Sequence, residues 1–218
     1  MGADTPDHVV RLAEKHYVAP QRPLLRPERV EPQQSMPQHK QVSLGCHQAH
    51  TIVGARIPRL HHDGRHAMAL LNNILGGPGM NARLNIALRE RHGLVYTVES
   101  TLVSYGDTGT WGIYFGCDHD DVDRCQRLVR RELNRLLQAP LSPQQLRAAK
   151  QQLKGQIGVA TDNREQFALD FGKSFLYDGR ERDIELLFRQ IDAVTAEQMH
   201  SVACEFFAPE RLSTLIIE

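Results

Sequence analysis

Arg89 and Tyr96 are the residues whose types and spacing point most directly to chemistry. They lie in the run Asn72 to Ser100, NNILGGPGMNARLNIALRERHGLVYTVES, with Glu-Arg-His-Gly-Leu-Val between them. Arg89 falls near the end of an arginine-rich helical segment, Gly93 ends that helix, and Tyr96 lies on the strand that follows. A helix-to-strand corner of this kind lets a cation and a phenol reach one space. A lone helical Arg is ordinarily solvated and a strand Tyr ordinarily half-buried. The Gly93 break and the short separation set this pair apart.

Other chemistries fare less well. The chain has 11 His, and His62-Asp63-Gly64-Arg65-His66 has the i, i+4 spacing that puts two imidazoles on one helix face. Arg65 cannot accept a proton and would repel a metal, and Gly64 weakens the helix that must present the ligands. His47 and His50 have the wrong spacing and lie at a strand edge. No metal ligand is therefore assigned, although an independent metal hydrolase built on His61, His62, His66 and a carboxylate stays as an alternative. Gly76-Gly77-Pro78-Gly79 lacks the Lys-Ser/Thr ending of a phosphate loop and follows a helix, not a strand, so it reads as a tight connection.

Composition narrows the classes further. The 26 basic and 26 acidic residues cancel, which argues against a dedicated nucleic-acid binder. Cys46, Cys117, Cys125 and Cys204 are far apart and form no CxxC pair, so reduced thiols are expected. No apolar run approaches the roughly twenty residues of a membrane span, and the start of the chain lacks a basic-then-apolar leader. Cytoplasmic placement is the expectation, with any upstream leader invisible.

The elements that must position the pair follow from periodicity. Val42 to Leu44 and Ala49 to Ile57 read as strands, the second central. His66 to Leu75 carries a helical apolar stripe, and Leu84, Ala87 and Leu88 give the next helix its inner face. Val95 to Val103 and Thr110 to Cys117 form a hairpin in which Trp111, Ile113 and Phe115 share one face. Asp118, Asp120 and Asp121 form an acidic start to the next helix, which Val122, Cys125, Val129, Leu133 and Leu136 stripe. Ser142 to Gln145 caps a long polar helix running to about Val159, and Asp162-Asn163-Arg164 breaks it. Phe167, Phe171 and Phe175 mark another helix, and Thr195 to Gln198 caps the last one, with Met199, Val202, Ala203 and Phe206 inside. Leu212 to Ile217 closes as a strand. The order lacks βαβ alternation, so the fold expected is α+β, a mostly antiparallel sheet packed against helices. Ahead of it, Asp7 to Tyr17 reads as a short amphipathic helix and the prolines from Pro20 to Pro37 as an extended linker. Residues 1–38 are thus expected to be a tail and linker, and 39–218 the domain.

The motifs LNNILGG and ALRERHGLVYTV, with Arg89 and Tyr96 placed as they are, resemble the C-terminal, non-zinc half of the M16 metallopeptidases, the insulinase, pitrilysin and mitochondrial processing peptidase group. Leu12-Ala13-Glu14-Lys15-His16-Tyr17 also looks like the ending of that family's first domain, ahead of its proline-rich linker. The resemblance implies a strongly curved sheet on helices, repeated in two halves of a clam-shaped chamber. It implies that the HxxEH motif and its zinc belong to a missing first half, on the same chain or a partner subunit, and that this chain holds no catalytic or metal residue. It also implies an unstructured peptide as substrate. Arg89 would bind a substrate carbonyl oxygen, and Tyr96 would stabilise the oxyanion of the tetrahedral intermediate. Arg83, Arg91 and His92 are weaker candidates. A structural or interaction domain of the same fold, with no peptidase role, is the main alternative, and a homo-oligomer stays open.

Overall fold

The computed structural model describes residues 4–18, 36–179 and 183–218. These fall into two compact units, one from the described parts of 1–31 and 159–182, the other from 32–158 and 183–218. The second unit holds a five-stranded open sheet in the order β1-β5-β2-β4-β3. Its strands are β1 (His39–Val42), β2 (Ala49–Ile57), β3 (Val95–Ser104), β4 (Gly109–Cys117) and β5 (Ser213–Ile217). Among the described strands β1 and β5 run parallel and the other pairs are antiparallel. The fold is α+β, with β2 in the middle of the sheet.

Alternation along the two longest central strands explains the core. Ala49, Val53, Ala55 and Ile57 of β2 and Trp111, Ile113, Phe115 and Cys117 of β4 point inward and are buried. Helices α2 (Arg65–Gly76), α3 (Val122–Gln138) and α7 (Ala196–Phe206) join the same core through their apolar stripes. Trp111 packs on Phe207 with ring centroids 4.2 Å apart. Helix α7 carries the anticipated capping box between Thr195 and Gln198. Ser142 and Gln145 exchange the same reciprocal bonds at the start of α4 (Pro143–Asp162).

Several boundaries differ from the sequence expectation. The first strand is His39–Val42 and not Val42 to Leu44, because it pairs residue by residue with β5 from His39↔Thr214 to Val42↔Ile217. Helix α4 extends three residues past Val159, and Asn163 caps α5 (Arg164–Asp178) by accepting from the Gln166 amide. Helix α6 (Ile184–Ala193) lies between α5 and α7.

In the first unit, helix α1 (Pro6–His16) buries none of its residues, leaving Val9, Val10 and Leu12 exposed. Leu169, Phe175 and Leu176 of α5 are exposed as well. Most of the expected proline-rich linker lies outside the described residues. No described helix is long and apolar enough to cross a membrane.

Candidate functional site

The corner around Gly93 is built from an uncommon helix. Asn85–Glu90 is a single π-helical stretch in which the Arg91 amide bonds the Ile86 carbonyl, five residues back. It ends in a widened C-terminal turn: Gly93 N–H donates to Arg89 O at 2.8 Å and Leu94 N–H to Leu88 O at 2.9 Å. Each bond spans one residue more than in the α-helical Schellman turn. Gly93 adopts φ +61° with nothing near its missing Cβ, so backbone conformation alone demands glycine here. His92 donates Nδ1–H to Ala87 O at 2.7 Å, which ties it to the turn. Leu84, Ala87 and Leu88 enter the core, while Asn85 and Arg89 face the other way.

Asn85 and Arg89 of this helix and Thr97, Glu99 and Ser100 of β3 line one open depression of about 600 Å3. Its floor exists because α2 meets β3 at Gly76. A Cβ on Gly76 would lie 2.5 Å from the Ser100 amide nitrogen, so only glycine permits this approach. Beneath the contact, Ser100 Oγ accepts from Trp111 Nε1 at 2.9 Å and donates to Asn72 Oδ1 at 2.6 Å. Asn73 donates through Nδ2 to Gln156 Oε1. The depression thus joins carboxamides, the hydroxyls of Thr97 and Ser100, the Glu99 carboxylate and the exposed Arg89 guanidinium on a floor fixed by the core tryptophan.

Tyr96 is placed by a β-bulge. Val95 pairs with Cys117 and Thr97 with Gly116, which leaves Tyr96 as the extra residue between them. The bulge breaks the alternation that Val98 and Ser100 set and leaves the ring outward, at 59% exposure, with Thr97 exposed beside it. The phenol donates to Asp118 Oδ1 at 3.1 Å. That hydrogen bond, reinforced by the negative charge of Asp118, raises the Tyr96 pKa above its ordinary value. A phenol is protonated at neutral pH in any case, and this one is engaged by Asp118 as a donor.

The predicted pair is brought to one corner and not into contact. Among the described residues no hydrogen bond joins Arg89 to Tyr96; Arg89 lines the depression, while Tyr96 stands outside its lining beside Thr97. Asp118, which the sequence marks only as part of an acidic helix start, proves to be the partner of Tyr96. A signal for that pairing exists: Ser104↔Gly109 and Thr97↔Gly116 fix a hairpin register that, continued without the bulge, sets Asp118 opposite Val95. Ser100 and Asn72 join the site without forewarning, because nothing local marks them as partners of a buried indole.

The histidines do not gather. Helix α2 begins at Arg65 with Gly64 as its cap, so His62 precedes the helix and the i, i+4 relation to His66 is lost. His62 Nδ1 accepts from the Gly64 amide at 3.1 Å. Burial, with help from Arg65, lowers the His66 pKa and favours its neutral form. Among the described residues no group of three His, Cys, Asp or Glu side chains is arranged to hold a metal.

Comparison with known proteins bears on these features. Residues 1–153 match the family model described as the peptidase M16 inactive domain. An uncharacterized zinc protease of Mycobacterium leprae is 31% identical over 156 residues, covering 72% of this chain and 35% of the relative. The mitochondrial-processing peptidase subunit beta of Rattus norvegicus is 30% identical over 165 residues, covering 72% of this chain and 34% of that protein. The chain thus spans about a third of the length of these relatives. A protease from Helicobacter pylori superposes with a TM-score of 0.83 at 18% identity, over 99% of this chain and 53% of the other. The M16 inactive domain from Pseudomonas fluorescens superposes with a TM-score of 0.75 at 20% identity, over 86% of this chain and 45% of that one.

Proposed function

The chain belongs to the peptidase M16 family, matching its inactive domain, and from this premise we propose that it forms the substrate-binding half of a zinc metalloendopeptidase. The observation that carries the proposal is Tyr96. A bulge turns its phenol out of the sheet, Asp118 holds its O–H as a hydrogen-bond donor, and the Arg89-lined depression lies on the next residues of the same strand. A protonated phenol released from Asp118 supplies an O–H donor to a peptide carbonyl oxygen as negative charge develops on it. The Arg89 guanidinium, exposed and rich in donors, anchors backbone carbonyls of the same peptide.

Relatives at 28–31% identity carry the name zinc protease, yet the histidines of this chain do not suit zinc. His62 and His66 are separated by the start of α2, and Arg65 stands between them. The metal and the general base are assigned to a second, HxxEH-bearing half. That half is proposed to dock on apolar residues this chain leaves exposed, Val9, Val10 and Leu12 on α1 and Leu169, Phe175 and Leu176 on α5.

The test is reconstitution with an HxxEH-bearing half. The 218-residue chain alone is expected to give no chelator-sensitive cleavage of an unstructured peptide, and the reconstituted pair to cleave. In that pair Tyr96→Phe should lower turnover about a hundredfold with little change in peptide affinity, the signature of a donor used in the transition state. Arg89→Ala should weaken both. Wild-type kinetics for both variants would reduce the corner to a structural junction.

A further inference from the structure

A second depression, of about 460 Å3, lies on the other side of the π-helix and is lined by Arg83, Ile86, Arg91, Glu132, Arg135 and Gln145, among others. Its electrostatics are lopsided. Glu132 of α3 is only 2% exposed, and its carboxylate accepts from Arg135 Nη1 at 2.8 and 3.1 Å. Arg131 Nε adds its charge at 3.9 Å. Glu132 is thus already matched by its own helix. Among the described residues, neither the Arg83 nor the Arg91 guanidinium makes a hydrogen bond or an ion pair within 4 Å; the Arg91 backbone amide is used inside the π-helix. Three lining guanidinia face one carboxylate, a formal balance of +2.

Arg83 is half-buried, and that burial is the main cause of a lowered guanidinium pKa. Arg135 pushes in the same direction, while Glu132 opposes. A partly dehydrated guanidinium without a hydrogen-bonded acceptor is costly, and an anion seated beside it offsets the cost. The first turn of α4 opens at the same rim through Gln145, with Leu141 just ahead of the helix cap. Its Ser142–Gln145 cap uses the nearby amides, so the helix contributes field more than donors.

We infer that the cluster of Arg83, Arg91 and Arg135 around Glu132 is a binding site for a dianionic phosphate group. A phosphate carries about −1.5 to −2 near neutral pH, which matches the local excess of +2, whereas a single carboxylate neutralises half of it. The planar donor forks of arginine suit its oxygens. The site is independent of the peptide-binding reading: Asn85 and Arg89 face the first depression while Ile86 and Arg91 line this one. Two sources share this chemistry, free phosphate and a phosphorylated peptide.

Isothermal titration of the full chain in a chloride buffer of fixed ionic strength tests the site. The probes are inorganic phosphate, a phosphoserine peptide, and the same peptide with glutamate in place of phosphoserine. Both phosphate probes should bind more tightly than the glutamate peptide. Arg91→Ala should weaken them about tenfold or more at unchanged circular dichroism, since Arg91 is exposed and holds nothing else. Arg83→Gln should act in the same direction. A phosphopeptide that binds tenfold or more tighter than inorganic phosphate assigns the site to peptide-borne phosphate; similar affinities assign it to the free ion. Binding that Arg91→Ala leaves unchanged, a glutamate peptide binding as well as the phosphopeptide, or no binding by either phosphate probe would overturn the inference.

Discussion

Ser100→Ala tests the physical account of the floor under the Arg89 depression. Ser100 Oγ is the acceptor for Trp111 Nε1–H and the donor to Asn72 Oδ1, and Ser100 and Trp111 are 7% and 2% exposed. Removing the hydroxyl leaves a buried indole N–H without its acceptor, which costs about 1–3 kcal/mol. The Asn72 side can recover in part, because Ser100 borders an open depression that admits water. The net destabilisation expected is therefore about 2 kcal/mol, near the middle of that range. For a chain of this size that lowers the melting temperature by roughly 4–8 °C. Trp111 is the sole tryptophan of the chain, so thermal unfolding followed by its fluorescence reads the site without a label. A double-mutant cycle isolates the bond: in a Trp111→Phe background, which has no N–H to orphan, Ser100→Ala should cost about 1 kcal/mol less, with circular dichroism as the readout. A shift below about 1 °C, or identical costs in both backgrounds, would refute the assigned role of Ser100.

Two further outcomes follow from the same corner. Gly76→Ala places a methyl 2.5 Å from the Ser100 amide nitrogen and forces α2 away from β3; a loss of about 1–3 kcal/mol in denaturant titration is expected, and an unchanged midpoint would contradict the close approach. Asp118→Asn removes the carboxylate whose hydrogen bond, and next whose charge, raises the Tyr96 pKa. Ultraviolet difference titration, with Tyr96→Phe as the reference, should show the phenol titrating at lower pH once that carboxylate is gone. The sign fixes the pH window: a raised folded pKa means the Tyr96–Asp118 contact supports the fold below the ordinary phenol value of 10.0 and is lost as pH rises through the folded value. An unmoved phenol would sever the link to Asp118.

Local pattern was enough for much of the fold. Alternation in β4 and the stripes of α3 and α7 told which residues face inward, because strand and helix periods project directly onto the chain. The capping boxes at Ser142 and Thr195 were legible because each closes within four residues. The short strand β1 was misplaced because its limits are set by pairing with β5, at the far end of the chain, and not by its own propensity. The same divide runs through the site. Sequence alone determined that Arg89 and Tyr96 flank a helix-to-strand corner at Gly93, since glycine and the change of period are local signals. Tertiary structure decided that the two do not touch, that a bulge in the β3–β4 register turns the Tyr96 ring outward to Asp118, and that a π-helical turn puts Arg89 at a depression whose Ser100 is held from below by Trp111. Strand register and helix hydrogen-bonding period answer to partners distant in the chain, and those partners are fixed only when the sheet and its helices pack.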